Sequence, residues 1–232
     1  MRSRMRVKIC CISSIVEAEL AVRYGADALG LVSAMPSGPG TITESTIAAI
    51  AATIPPGVAS FLLTCQQSAT AIIDQQQRLR TNTIQLCDRL PLAEYPILRE
   101  ALPGVGLVQV IHVTSEASIE EAVQVTPWVD GILLDSGNPA LAVKELGGTG
   151  RCHDWHISRR IREAVPLPVY LAGGLRPDNV ATAIEAVQPF GLDICSGVRT
   201  EGQLDEVKLA SFFQAVGRDA GKAMEATREV KG

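Results

Sequence analysis

The sequence predicts a single-domain (β/α)₈ barrel, the TIM-barrel architecture of the α/β class. Short apolar runs rich in β-branched residues alternate along the 232-residue chain with longer amphipathic segments. The eight runs end 22 to 37 residues apart, a spacing that suits a strand, a crossover helix and the next parallel strand. The predicted strand ends are Cys10, Val32, Thr64, Leu86, Val113, Asp135, Ala172 and Ile194.

The predicted strands are mostly apolar rather than alternating. In chain order they read "VKICCI", "ALGLV", "VASFLL", "TIQL", "GLVQVIHV", "VDGILLD", "PVYLAG" and "GLDICSG". Continuous apolar runs are typical of parallel strands that are covered on both faces. Segments with helical periodicity lie between them, including "IVEAELAVRYG", "ITESTIAAIAATI", "SATAIIDQQQRLR" and "ISRRIREAV".

No linker, low-complexity tract or change of composition divides the chain. We therefore expect one barrel domain over residues 5–217, followed by a charged C-terminal tail over residues 218–232.

Composition and charge exclude several classes of function. The chain is 47% hydrophobic with a net charge of −4, which provides no basic surface for nucleic acid. No apolar run approaches the roughly 18 to 20 residues that cross a bilayer, and the basic start is not followed by a signal-peptide core. The six cysteines lack CxxC spacing and are expected to be free thiols. We expect a cytoplasmic protein that binds neither nucleic acid nor membrane.

Two strand ends carry groups suited to proton transfer. In such barrels the chemistry lies at the carboxyl ends of the strands. Cys10 ends the first predicted strand and Asp135 the sixth, so they are a candidate base and acid. The alternatives are that Cys10 is a small buried core residue and that Asp135 only caps a loop.

Glycine-rich stretches follow the last three predicted strands. Gly148 lies in "GGTG", Gly173 and Gly174 in "LAGGL", and Ser196 and Gly197 in "CSGV". Loops after strands seven and eight are the usual phosphate site of these barrels, because backbone N–H groups approach the anion without an intervening Cβ. The pattern predicts a phosphate-binding site, and the alternative is a set of tight turns without a ligand.

These motifs together resemble those of the phosphoribosylanthranilate isomerase family. "VKICCIS", "GADALGLV", "IQL", "LLDS", "GGTGRCHDW", "LAGGLRPDNV" and "GLDICSGVRT" occur in the family's order over most of the chain. The resemblance implies an Amadori rearrangement of an aminoaldose phosphate in tryptophan biosynthesis, without cofactor or metal, by a monomer or homodimer. It also implies that Cys10 is the general base and Asp135 the general acid, and that Asp193 is a further carboxylate near the site.

The chemistry agrees with these roles. A carboxylic acid can protonate the furanose oxygen, and a thiolate can then remove the C2′ proton of the resulting Schiff base. Cys11 replaces the family's usual glycine. Strand alternation predicts that it points away from the barrel mouth and serves packing.

Two departures from the family pattern lie on the side expected to face anthranilate. The loop "AMPSGPGTI" has Gly40 where the family's arginine would hold the anthranilate carboxylate, and "QLCD" has Cys87, two residues after Gln85, in place of a histidine. The carboxylate donors expected instead are Ser37 and the backbone near Gly38 and Gly40. We therefore expect a higher KM for the anthranilate compound than a typical relative shows, which Gly40→Arg should lower if the loop follows the family's path.

Three alternatives remain open from the sequence. The first is an isomerase of the same mechanism acting on a different N-ribosyl phosphate, and the second is a noncatalytic sugar-phosphate sensor. The third is a metal site, although its candidate ligands lack metal-site spacing. These ligands are Cys10, Cys65, Cys87, Cys152, His153, His156 and Cys195.

Overall fold

The computed structural model describes residues 4–217, in which eight parallel strands pair in chain order and close into a barrel. The predicted fold is therefore confirmed, and each strand ends within one residue of its predicted end. The strands are β1 (Arg6–Ile9), β2 (Ala28–Val32), β3 (Ala59–Thr64), β4 (Thr83–Leu86), β5 (Gly106–His112), β6 (Gly131–Asp135), β7 (Val169–Leu171) and β8 (Gly191–Ile194). The charged tail predicted over residues 218–232 lies outside the described residues.

Helices follow the strands and cover the outside of the barrel. None of those described is long and apolar enough to cross a membrane. They are α1 (Ile15–Arg23), α2 (Glu44–Ala51), α3 (Ala69–Leu79), α4 (Glu94–Ala101), α5 (Ala117–Val125), α6 (Trp155–Ala164), α7 (Val180–Val187) and α8 (Glu206–Ala215). Several begin at a polar N-cap residue whose side-chain oxygen accepts an otherwise unpaired N–H of the first turn. The side chains of Ser14, Thr43, Ser68, Asp154 and Asp205 do so.

Buried apolar side chains form two layers. The larger layer lies between sheet and helices, and the smaller one fills the barrel interior with residues such as Phe61, Leu63, Val108 and Leu133. Because side chains alternate along each strand, successive residues contribute to opposite layers. The apolar interior is therefore a packed core, and polar groups reach the interior mainly near the carboxyl ends of the strands.

The β1–β8 junction closes the barrel through a buried ion pair. Lys8 and Asp193 are register partners, and the Lys8 ammonium donates to Asp193 Oδ1 at 2.8 Å. Lys8 is fully buried and also lies 5.3 Å from the centre of the Phe61 ring. Burial alone would lower the pKa of Lys8, but the adjacent Asp193 carboxylate outweighs it and holds this pKa above its ordinary value.

A second buried pair fixes the segment that follows β1. Both terminal nitrogens of Arg199 donate to the Glu17 carboxylate on α1, at 2.9 and 3.0 Å. The same carboxylate accepts the backbone N–H groups of Ser13 and Leu204. Arg199 also donates to the carbonyl oxygen of Cys11 at 2.6 Å. The pair therefore joins α1, the end of β1 and the chain after β8.

Replacing Glu17 by alanine should lower the free energy of unfolding by about 3 kcal/mol, because it leaves a buried guanidinium and two N–H groups without their acceptor. Glu19→Ala is the matched control, since Glu19 lies on the same helix but is exposed. Urea denaturation of both variants measures the effect. Equal stability of the two variants would contradict the role assigned to the pair.

Candidate active site

One cleft lies at the carboxyl ends of the strands and encloses about 680 Å³ of atom-free space, counting the part open to solvent. Nine of the ten predicted site residues line it: Cys10, Ser37, Gln85, Asp135, Gly148, Gly173, Gly174, Asp193 and Ser196. Gly197 does not line it. A Cβ at Gly197 would lie 2.1 Å from the Leu175 carbonyl oxygen, so this glycine permits close packing of two loops.

Cys10 follows the last residue of β1 and continues the ladder, because its N–H donates to the Ile194 carbonyl at 2.8 Å. Its thiol is close to the Lys8 ammonium. A Cβ added to Gly30 would lie 3.0 Å from both Cys10 Sγ and Lys8 Nζ, so the two atoms are no more than twice that distance apart. Gly30 leaves room for this arrangement, because it has no side chain between the two groups.

Asp135 ends β6 and is buried at the base of the cleft. Its Oδ1 accepts the Ser136 N–H at 2.7 Å, and its Oδ2 lies 2.5 Å from where a Cβ of Gly147 would be. Burial raises the pKa of Asp135, although the Ser136 hydrogen bond and the nearby His112 and Lys8 oppose the change. A raised pKa lets the carboxyl group retain a proton, as a general acid requires.

The prediction that Cys11 points away from the barrel mouth is wrong. Cys11 lines the same cleft as Cys10, and its sulfur lies 2.8 Å from that of Cys195. Alternation of side chains holds only within a strand, and β1 ends at Ile9. Cys11 has a φ of 61°, in the left-handed region that favours glycine, and this turn brings its side chain into the cleft.

The predicted phosphate loops converge on one wall of the cleft. Gly173 and Gly174 have φ of 80° and 62°, and a Cβ on Gly174 would lie 2.7 Å from the Arg151 backbone. Asn179 fixes this turn, since its amide donates to the Gly174 carbonyl and its side-chain oxygen accepts the Arg176 N–H. The loops present backbone rather than side chains, which suits an anion.

The opposite wall is largely apolar, with Met35, Leu63, Cys87 and Leu146. The Ser37 hydroxyl, expected as a carboxylate donor, donates instead to the Lys144 carbonyl oxygen at 2.5 Å. This hydrogen bond joins the loop after β2 to the loop after β6, and it uses the hydroxyl proton of Ser37.

Two polar groups that contribute to the site were not identified from the sequence. Lys8 could have been identified, because a lysine within an otherwise apolar strand needs a buried partner. His112 could also have been identified, because it is a polar residue at the end of β5. His112 is the register partner of Asp135, and its Nε2 contacts the Cys87 carbonyl at 3.0 Å.

Within residues 4–217, no group of three or more histidine, cysteine or acidic side chains is arranged to hold a metal ion. His153 instead lies beneath the loop of Gly173, with its Nε2 2.7 Å from Ser158 Oγ. Burial lowers the pKa of His153 to about 4, against the opposing charge of Asp154.

His153 should make stability depend on pH. Its pKa is about 4 in the folded chain against an ordinary value of 6.5, so between these values only the unfolded chain takes up a proton. The free energy of unfolding should therefore decrease from pH 6.5 to pH 4, by up to about 3 kcal/mol from this residue. His153→Phe should remove this contribution, whereas His156→Phe, at an exposed position, should retain it. Denaturation across this pH range measures the difference, and parallel curves for the two variants would contradict it.

Comparisons with known proteins agree with the geometry. The family described as N-(5'phosphoribosyl)anthranilate (PRA) isomerase matches residues 7–215. An N-(5'-phosphoribosyl)anthranilate isomerase of Methanosarcina acetivorans is 35% identical, over 93% of this chain and 94% of its own length. The enzyme of the same name from Methanocella arvoryzae is 37% identical, over 90% and 95%.

Solved structures are similar over nearly the whole chain. Phosphoribosyl anthranilate isomerase from Thermotoga maritima matches with a TM-score of 0.78 at 28% identity, over 92% of this chain and 98% of its own. A structure of phosphoribosyl anthranilate isomerase in complex with reduced 1-(o-carboxyphenylamino)-1-deoxyribulose 5-phosphate matches with a TM-score of 0.76 at 27% identity, over the same shares.

Proposed function

The chain belongs to the N-(5'-phosphoribosyl)anthranilate isomerase family, and on this premise we propose that its cleft converts phosphoribosylanthranilate into the corresponding 1-deoxyribulose 5-phosphate, a step of tryptophan biosynthesis. The observation that carries the proposal is that Cys10 and Asp135 line one cleft beside the glycine-rich loops. They come from β1 and β6, three positions apart around the barrel. A sugar bound between them has a proton donor and a proton acceptor within one enclosure.

Asp135 starts the reaction as the general acid. Its proton goes to the furanose oxygen, the bond from that oxygen to C1′ breaks, and the substrate nitrogen forms a Schiff base with C1′. Burial raises the pKa of Asp135, which favours the protonated form that a general acid requires. Asp193 is the second carboxylate of the cleft and is paired with Lys8. The two carboxylates therefore have different partners, and only Asp135 is assigned the acid role.

Cys10 continues the reaction as the general base. Its thiolate removes the proton from C2′, which the adjacent Schiff base has made acidic, and the electrons form the enolamine that tautomerises to the aminoketose. The Lys8 ammonium lies close to the Cys10 sulfur. Ser196, Gly148, Gly173 and Gly174 hold the phosphate and set the position of the sugar.

Cys10→Ala and Asp135→Asn should each lower kcat by about 10² to 10⁴, because each removes a proton-transfer group. Affinity for the phosphorylated product should change only a few-fold, since the glycine loops are intact. Cys65→Ala is the control for loss of a thiol, as Cys65 lies beside the cleft without lining it. Single-turnover kinetics measure the rate, and titration with the product measures the affinity. Turnover near the wild-type rate in either variant would contradict the role assigned to the replaced residue.

A same-mechanism isomerase with a different aglycone is the second candidate. The wall that would face the aglycone favours it. This wall has glycine instead of arginine at position 40, and the Ser37 hydroxyl already donates to the Lys144 carbonyl oxygen. A noncatalytic sugar-phosphate sensor would not require the pairing of Cys10 with Asp135. Phosphate recognition is common to all of these functions, so the aglycone carboxylate is the group that distinguishes the two isomerases.

The earlier expectation for Gly40→Arg needs correction. Gly40 has a φ of 80°, and a Cβ there would lie 2.5 Å from Cys11 Cβ and 2.9 Å from Cys11 Sγ. The arginine is therefore excluded while Cys11 is present, and Gly40→Arg alone should impair binding. Glycine at position 11 would remove both obstructing atoms.

We expect the double variant Cys11→Gly/Gly40→Arg to prefer a carboxylated substrate more strongly than Cys11→Gly alone does. A charge-assisted hydrogen bond contributes about 1.5 to 3 kcal/mol, whereas the cost of the left-handed backbone at position 40 is the same for both substrates and cancels in the comparison. The preference should therefore rise by about ten- to 150-fold.

The measurement is kcat/KM on phosphoribosylanthranilate and on its decarboxylated aniline analogue. An unchanged ratio between the two variants would contradict the expectation. In the wild type, equal kcat/KM for the two substrates would favour a different natural aglycone.

A further inference from the structure

Cys11 and Cys195 form a pair of neighbouring thiols at the cleft. Neither is the assigned acid or base. Cys11 follows β1 and Cys195 follows β8, so the two are distant in sequence but adjacent across the β1–β8 junction. Their sulfur atoms are 2.8 Å apart and both residues line the cleft. Cys195 is partly exposed at the cleft whereas Cys11 is buried, so a small oxidant can reach the Cys195 sulfur.

Neighbouring residues hold the two sulfurs together. The Cys11 thiol lies 3.7 Å from the Pro39 carbonyl oxygen, and the missing side chain of Gly40 leaves room for it. Arg199 donates to the Cys11 carbonyl at 2.6 Å and fixes the backbone of the left-handed turn. The pairing therefore depends on Gly40 and Arg199 as well as on the cysteines.

The two thiols have different electrostatic surroundings. The hydrogen bond between the two sulfurs lowers the pKa of Cys195, and Arg199 acts in the same direction, whereas burial opposes both. Hydrogen bonding to Cys10 and Cys195, together with burial, raises the pKa of Cys11 well above its ordinary value. Cys195 therefore loses its proton more readily than Cys11 and is the better nucleophile of the two.

We propose that Cys11 and Cys195 form a peroxide-oxidised dithiol site whose disulfide reversibly lowers turnover in the cleft. The Cys195 thiolate attacks hydrogen peroxide, the O–O bond breaks, and the sulfur becomes a sulfenic acid as the leaving hydroxide takes up a proton to form water. Cys11 then loses its proton and attacks that sulfur, so the S–S bond forms and the S–O bond breaks with release of a second water. Two thiols and one peroxide give one disulfide and two waters.

The disulfide would alter the site on both sides of the junction. A disulfide bond is about 2.05 Å long, so the sulfurs must approach by a little under 1 Å from their 2.8 Å separation. Cys11 is bonded to Cys10, and Cys195 is bonded to Ser196 of the phosphate loop. A displacement of this size in positioning groups lowers rates by about tenfold to 100-fold, and a reductant should reverse the loss.

Peptide mapping of the oxidised full-length chain tests the site without relying on any activity. The chain is treated with hydrogen peroxide, the remaining thiols are blocked, and trypsin releases Ile9–Arg23 and Glu163–Arg199. We expect these two peptides to be joined by a bond that dithiothreitol breaks. Cys195 is the only cysteine of the second peptide, so absence of the joined species overturns the proposal.

Variants identify the partner of Cys195. The joined species should persist in Cys10→Ala and in Cys152→Ser, an exposed cysteine, and should be lost in Cys11→Ser and Cys195→Ser. Persistence in Cys11→Ser would show that Cys10 is the partner and would overturn the pairing.

The functional part is tested on isomerase turnover of the wild type before oxidation, after oxidation and after reduction. A tenfold or greater loss that dithiothreitol restores is expected in the wild type and should be absent in Cys195→Ser. If the two peptides are joined but turnover is unchanged, the proposed effect of the disulfide on turnover is overturned. Because the peptide readout needs no substrate, failure of the proposed isomerase function and failure of the dithiol are distinguishable.

Discussion

Closure of the sheet between β1 and β8 is the constraint on which the cleft depends. The junction is short, since β1 has four residues, and it is reinforced on the barrel interior by the Lys8–Asp193 pair. Two buried ions are costly unless they meet in good geometry, so this pair also fixes the register in which the first and last strands meet. Cys10 and Ser196 take their positions from that register.

The same buried ammonium explains how two carboxylates and a thiol can share one small volume. Asp193 has the ammonium as its partner, whereas Asp135 has a backbone N–H and a raised pKa. The two carboxylates therefore have different electrostatic surroundings, although the two residue types are identical. Gly30 is part of this arrangement, because any side chain there would fill the space between Lys8 and Cys10.

The wall that faces the aglycone differs from the family pattern at positions that depend on one another. Cys11 occupies a left-handed turn, its side chain fills the space next to Gly40, and its sulfur meets Cys195. A side chain at position 40 and a side chain at position 11 compete for the same volume. The absence of the family's arginine is therefore coupled sterically to the presence of Cys11.

Apolar periodicity and residue type determined the eight strands, their ends to within one residue, and the placement of Cys10, Asp135 and the glycine loops at one mouth, whereas the family was indicated by the resemblance of the motifs. These features are local, because a parallel strand and the residue that ends it are encoded by neighbouring residues. Tertiary structure decided the direction of Cys11, the donor role of Ser37 toward Lys144, the packing of Gly197 against Leu175, and the pairing of Lys8 with Asp193. The direction of Cys11 could not be predicted because side-chain alternation ends with the strand. The other contacts join residues far apart in the chain, 185 positions in the case of Lys8 and Asp193. Such contacts depend on which loops the closed barrel brings together, and no local pattern contains that information.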